Sequence, residues 1–252
     1  MDGYDETVAR LRAAGCVFAE EEAALLLDLP DPGRAIARRV AGEPLEHVLG
    51  WAEFAGLRVA VDAGVFVPRR RTEALVRAAV AAGGSVVVDL CCGSGAVGMA
   101  VEAALGAVDL TAVDIDPRAV ACARRNLGAD RVLEGDLYAP LPERLRGRVD
   151  LLVVNAPYVP TDEIALMPPE ARDHEPMVAL DGGSDGLDVH RRVAEGAPDW
   201  LAPGGLLLIE AHESQVAAAE AVFAGHGLVV GVVRDPEATV VTGALGTRQG
   251  TR

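Results

Sequence analysis

Strand-like and helix-like segments alternate through most of this chain, and that rhythm constrains its fold more than any other feature. Residues 85–90 (SVVVDL) are a β-branched run of the kind buried on both faces of a sheet. Residues 95–105 have helical spacing, 109–114 read as a second strand, and 117–127 as a helix with Pro117 in its first turn. Residues 131–133 start a third strand and 149–154 (VDLLVV) form a fourth. A Pro- and Gly-rich stretch at 156–184 reads as one long loop, a length that usually signals function. Helix 186–200, strand 205–210, helix 214–224, strand 228–233 and a short last strand at 238–242 follow. The pattern predicts an α/β fold built on a doubly wound, mostly parallel sheet of seven strands.

In such sheets ligands bind at the carboxyl ends of the strands. The first strand ends in Asp89-Leu90-Cys91-Cys92-Gly93-Ser94-Gly95, the second in Asp114-Ile115, the third leads to Asp136-Leu137, and the fourth ends in Asn155-Ala156-Pro157-Tyr158. The glycine loop at 93–98 matches the G-x-G-x-x-G dinucleotide pattern, with Asp114 at the right distance, so an NAD-dependent oxidoreductase is one reading. Two details oppose it. Residues 89–92 intervene between strand and loop, and a carboxylate at Asp89 would repel a pyrophosphate. Asp89 suits a cationic ligand instead. S-adenosylmethionine carries an ammonium, a sulfonium and no phosphate. Asp114 can accept from both of its ribose hydroxyls, and Asp136 or the adjoining backbone can meet the adenine. Single acidic residues at strand ends are often turn or cap carboxylates; three on successive strands are harder to read that way.

Asn155, Ala156, Pro157 and Tyr158 point to the chemistry. An amide nitrogen is a poor nucleophile because its lone pair is delocalised. A site that accepts hydrogen bonds from both N–H groups can hold that nitrogen in line with a methyl group. The Asn155 side-chain oxygen and the Ala156 carbonyl are such acceptors, and Tyr158 can cover the planar group. The bland alternative is an Asn-x-Pro turn after a strand.

Composition narrows the field. None of the 252 residues is Lys, which excludes the usual Walker-type, Schiff-base and kinase sites. The net charge of −15 opposes a nucleic-acid partner; residues 69–71, all Arg, form the best basic patch. The four cysteines have no metal-ligand spacing, and no apolar run is long enough to span a membrane, so a cytoplasmic protein is expected. Residues 182–186 fit the G-x-S-x-G elbow but lack a full strand before them. Of the five histidines only His174, in the long loop, is a candidate for function.

Residues 1–50 read as helices and 53–67 as a small hairpin, which divides the chain into a helical N-terminal domain (1–50), a β-hairpin linker (51–72), a cofactor-binding domain (73–245) and a loose tail (246–252).

From Pro44 to Gly243 the chain resembles the HemK-type protein-glutamine N(5)-methyltransferases, which modify a glutamine of peptide-chain release factors. The resemblance is carried by residues 44–50 (PLEHVLG), 54–57, 67–69 with Thr72-Glu73, the first-strand loop, Asn155 to Tyr158, 175–176 with 179–187, and 201–205 leading to Glu210. It implies a class I methyltransferase sheet and S-adenosylmethionine as cofactor. It implies cofactor contacts at Asp89, Leu90, Cys91, Cys92, Gly93, Asp114, Leu137 and Asn155, to which the reading of the strand ends adds Gly95, Ile115 and Asp136, and it implies amide contacts at Asn155, Ala156, Pro157 and Tyr158. It also implies that the N-terminal helices hold a protein substrate, with a release factor as the candidate. The sequence departs from the family at three places: Ala156 stands for the first Pro of Asn-Pro-Pro-Tyr, Arg71 for an acidic residue, and Cys91 for the loop's first glycine. Together these mark a divergent branch. The rival readings are a methyltransferase of exocyclic amino groups in nucleic acid, an NAD-dependent oxidoreductase, and a silent binding protein that kept the cofactor fold.

Overall fold

The computed structural model describes residues 2–246, so the expected loose tail beyond Gly246 lies outside the described residues. Four helices come first: α1 Asp2–Ala13, α2 Ala19–Leu27, α3 Pro32–Val40 and α4 Leu45–Leu49. Asp31 starts α3 by accepting from the Arg34 amide at 3.1 Å, with Pro32 in the first turn. Val8, Leu11, Leu26 and Ile36 close a small separate core. Beside it the buried Arg39 donates to Glu22 at 2.6 Å.

β1 Trp51–Phe54 and β2 Leu57–Ala60 form the hairpin. Its two-residue turn, Ala55 and Gly56, has φ of 51° and 74°, as a type I′ turn requires. The hairpin is shorter than the expected 53–67. Val61, Val65 and Val67 leave the ladder and bury against Ala119 and Cys122 instead, because Gly64 bends the chain at φ 75°.

The remaining elements are α5 Glu73–Ala82, β3 Val86–Leu90, α6 Ala96–Leu105, β4 Asp109–Asp114, α7 Pro117–Leu127, β5 Val132–Glu134, β6 Val149–Val154, α8 Pro169–His174, α9 Asp188–Trp200, β7 Leu201–Ala211, α10 Val216–Gly225, β8 Leu228–Arg234 and β9 Thr239–Leu245. The sheet order is β5-β4-β3-β6-β7-β9-β8, with β9 antiparallel to both neighbours and the other pairings parallel. This is the expected seven-stranded, doubly wound sheet. Strand residues alternate between its two cores. Val87, Leu151 and Val153 pack with α5 and α6, while Val88, Leu90, Leu152 and Val154 pack with α9 and α10.

Two further stretches differ from expectation. β7 starts at Leu201, not at 205, and takes Pro203-Gly204-Gly205 into the strand as a register shift against β6. Only glycine fits at 205, where a Cβ would lie 2.5 Å from the Val149 carbonyl oxygen. Residues 156–184 are not one irregular loop. They hold α8 and two 3-10 turns, Thr161–Leu166 and Met177–Ala179. Pro160, Pro168 and Pro176 each immediately precede one of these pieces, so prolines that read as breakers act as starters. Among the described residues no helix is long and apolar enough to cross a membrane.

Candidate functional site

Parallel β3, β4 and β6 end side by side, and the loops after them line a cavity of about 460 Å³. Asp89, next to last in β3, is 1% exposed and lines this cavity. Its Oδ2 accepts from the Gly98 amide at 2.8 Å, and its Oδ1 accepts from no described residue. Burial, aided by nearby Asp114, pushes its carboxyl up to about 7 from an ordinary 3.8. The amide that meets Asp89 belongs to the first turns of α6, where a dinucleotide phosphate would dock. A carboxylate already faces that helix end. A Cβ at position 98 would come within 3.0 Å of Asp89 Oδ2, so glycine keeps this contact open.

Asp114, at the end of β4, accepts from the Gly93 amide at 2.8 Å and the Asp116 amide at 2.9 Å. Burial raises its carboxyl as well. Two non-glycine residues of the cavity wall sit in the left-handed region, Cys91 at φ 56° and Leu137 at φ 48°. Burial pushes the Cys91 and Cys92 thiols up, which makes them unreactive at neutral pH. Asp136 pairs with Arg192 of α9 at 2.6 Å.

After β6, the Asn155 side chain makes no hydrogen bond to the described residues, and the Ala156 carbonyl accepts none from them. Both residues line the cavity, and neither acceptor is taken up by a described residue. Ala156 and Pro157 are buried. The Tyr158 hydroxyl donates to Glu210 Oε1 at 3.3 Å and accepts from Arg71. Burial and the Glu210 charge push its phenol up to about 12, so it stays protonated. The Tyr158 carbonyl is fixed by the Gln215 amide at 2.9 Å.

The outer wall comes from the linker and from the stretch after Tyr158. Glu175 is buried and accepts from the Val67 amide at 3.1 Å and from Arg69 at 2.6 and 2.7 Å. Glu170 of α8 pairs with Arg39 of α3, which ties the N-terminal helices to this wall.

The model of the Methyltransferase small domain family matches residues 56–167. A release factor glutamine methyltransferase of Geobacter sulfurreducens is 42% identical over 69% of this chain, and the match spans 63% of that protein, under two thirds of its length. One of Cereibacter sphaeroides is 36% identical over 90% of each chain. The chain belongs to the release factor glutamine methyltransferase family. A 4-amino-L-phenylalanine/4-methylamino-L-phenylalanine methyltransferase of Streptomyces pristinaespiralis is also similar, 35% identical over 86% of this chain and 78% of its own. In fold the chain resembles a solved methyltransferase from Pyrococcus furiosus, with a TM-score of 0.55, 16% identity, and coverage of 75% of this chain and 89% of that one.

The fold of this family member is that of an S-adenosylmethionine-dependent methyltransferase. The donor set fits the cofactor: a buried carboxylate with an open oxygen suits its ammonium, and Asp114 suits its ribose. When bound, S-adenosylmethionine supplies an electrophilic methyl group. Of the residues expected at the site, Asp89, Cys91, Cys92, Gly93, Asp114, Ile115, Asp136, Leu137, Asn155, Ala156, Pro157 and Tyr158 line the one cavity. Leu90 and Gly95 do not. Leu90 points to the opposite sheet face, fully buried in the core. Gly95, at φ 79°, makes room for the Leu127 side chain, 2.8 Å from where its Cβ would be. His174 also lies off the cavity, and exposed Ser184 follows a 3-10 turn rather than a strand, so no nucleophile elbow forms. Sequence reasoning missed the roles of Glu175 and Glu210. A carboxylate inside an apolar strand, as in Leu-Leu-Ile-Glu at 207–210, was the available signal for the second.

The strain at Cys91 gives a testable expectation. Left-handed backbone costs a non-glycine residue about 1–2 kcal/mol. Cys91→Gly is expected to raise stability by about 1 kcal/mol, after the extra unfolded-state entropy of glycine is subtracted. A lower urea midpoint in that variant would show that the buried thiol contact outweighs the strain.

Proposed function

We propose that this protein transfers a methyl group from S-adenosylmethionine to the side-chain amide of a glutamine in a protein. The observation that carries this reading is the pair of open acceptors, the Asn155 side-chain oxygen and the Ala156 carbonyl. They match the two N–H groups of a primary amide, and no stronger base is needed because the methyl donor is already activated. Tyr158, protonated and pinned at its hydroxyl, closes one side of the site. The names of the relatives make a peptide-chain release factor the first protein to test. The N-terminal helices, joined to the wall through Arg39 and Glu170, are positioned to seat such a substrate.

A second reading has a specific observation in its favour. An arylamine nitrogen is conjugated like an amide nitrogen, one relative is named for 4-amino-L-phenylalanine, and Arg71 brings a cation to the acceptor end of the cavity. Methylation of exocyclic amino groups in nucleic acid fits less well with a net charge of −15.

Radiolabelled methyl donor incubated with the enzyme and a host lysate, with and without nuclease, separates these readings. Label on a protein band supports the first, and label on small molecules supports the second. Nuclease-sensitive label defeats both. Tight binding of NAD without binding of S-adenosylmethionine would overturn the cofactor assignment.

A further inference from the structure

The surroundings of Arg71 define what this cation can do at the site. The side chain lines the cavity beside Asn155, Ala156 and Pro157 and is 49% exposed. It is held at two points. Its Nε donates to Glu210 Oε1 at 3.2 Å, and its Nη2 donates to the Tyr158 hydroxyl. The guanidinium carbon lies 5.7 Å from the centre of the Tyr158 ring. Glu210 is almost fully buried, so one end of the fork is anchored inside the protein. Nη1 makes no hydrogen bond to the described residues.

The other two cations of the cavity wall are likewise paired with carboxylates. Arg69 is bonded to both oxygens of Glu175, and Arg192 is paired with Asp136. Arg71 differs from these two in also holding the hydroxyl of Tyr158, the residue that follows Asn155, Ala156 and Pro157, so its guanidinium is preorganised at that end of the cavity rather than free to swing. Most other charged groups on the wall are carboxylates, Asp89, Asp114, Glu46 and Glu170 among them. They oppose an anionic acceptor away from the three arginines.

We propose that Arg71 is a specificity-determining residue that binds a carboxylate carried by the acceptor molecule close to the nitrogen held at Asn155 and Ala156. The inference rests on the reading of residues 155–158 as the nitrogen-holding site. The carboxylate has two sources: the α-carboxylate of a free amino acid, or an acidic side chain next to a glutamine in a peptide. Its remaining guanidinium N–H groups supply charge-assisted hydrogen bonds, which a neutral amide at the same place would form more weakly.

The test is a titration of the full-length protein in the presence of S-adenosylhomocysteine, followed by calorimetry. Two pairs of probes are used. One is 4-amino-L-phenylalanine and its carboxamide. The other is a capped hexapeptide with Gln followed by Glu and the same peptide with Gln followed by Gln. In at least one pair the carboxylate-bearing member is expected to bind about 10- to 100-fold tighter than its neutral partner. Arg71→Gln should bring that pair to near equality, and Arg71→Glu should reverse it. Arg71→Lys, which keeps the charge but not the fork, should retain part of the preference. Preference in the amino-acid pair assigns a small-molecule acceptor, and preference in the peptide pair assigns an acidic sequence. Equal binding within both pairs overturns the proposal. So does an absence of binding by both carboxylate probes, or a preference that survives in Arg71→Gln. Binding of S-adenosylhomocysteine is measured for every variant. Its loss in the wild type would instead defeat the cofactor assignment, which keeps the two failures distinct.

Discussion

Asp89→Asn is expected to lose about 100-fold or more in affinity for S-adenosylmethionine while the ligand-free protein becomes harder to unfold. Removing one partner of a buried charge pair costs about 2–5 kcal/mol, and 2.7 kcal/mol of that is about 100-fold. The gain in stability comes from the same burial. Burial pushes the Asp89 carboxyl up to about 7, above its ordinary 3.8. Between those two values the folded protein keeps a proton that the unfolded chain has lost. Stability from this group is therefore fully present below pH 4 and is lost as pH rises toward 7, by up to about 1.4 kcal/mol per pH unit. Asn cannot ionise, so the variant lacks that slope. Affinity for the cofactor runs in the opposite direction, because the ammonium needs the carboxylate. It should tighten about tenfold per unit as pH approaches 7 from below and level off above. Thermal unfolding and calorimetry from pH 5.5 to 8.5 measure both. A wild-type affinity that does not change with pH would show that Asp89 is not the ammonium partner.

Asn155→Ala is expected to slow methyl transfer by about 10²- to 10³-fold, the usual cost of losing one positioned hydrogen-bonding group in a transition state. The loss should fall mainly on kcat. The Ala156 carbonyl still binds one N–H of the acceptor, but one anchor leaves the nitrogen free to rotate away from the methyl. Single-turnover kinetics with a saturating cofactor measure the chemical step apart from cofactor binding. An unchanged rate would refute the amide-holding role of Asn155 and leave the site without its second acceptor.

Much of this was legible in the sequence because the relevant signals are local. The runs at 85–90 and 149–154 are mostly apolar and rich in valine, as suits strands covered on both faces. Their ends then place Asp89 and Asn155 on one edge without further information. Leu90 lies off the cavity although its neighbours on both sides line it. Strand side chains alternate, so a residue next to Asp89 faces the other core. The stretch at 156–184 was opaque for a different reason. Its short helical pieces are held by tertiary bonds, such as Glu175 to Arg69 across more than a hundred residues, and by prolines whose local reading is a break. The Arg71, Tyr158 and Glu210 cluster was equally hidden. Its members lie on three separate segments, and no spacing in the sequence links them.

The chemical form of the label transferred to protein shows whether the methyl group reaches a glutamine amide nitrogen, as proposed above. After incubation with radiolabelled methyl donor, the labelled protein is isolated and hydrolysed in acid, and volatile amines are collected. Methyl on the side-chain nitrogen of glutamine is released as labelled methylamine when the amide bond is hydrolysed. The account predicts that most of the label appears there, and that it maps to a single glutamine-containing peptide before hydrolysis. Label that stays with a non-volatile amino acid, or that never enters protein, would contradict it.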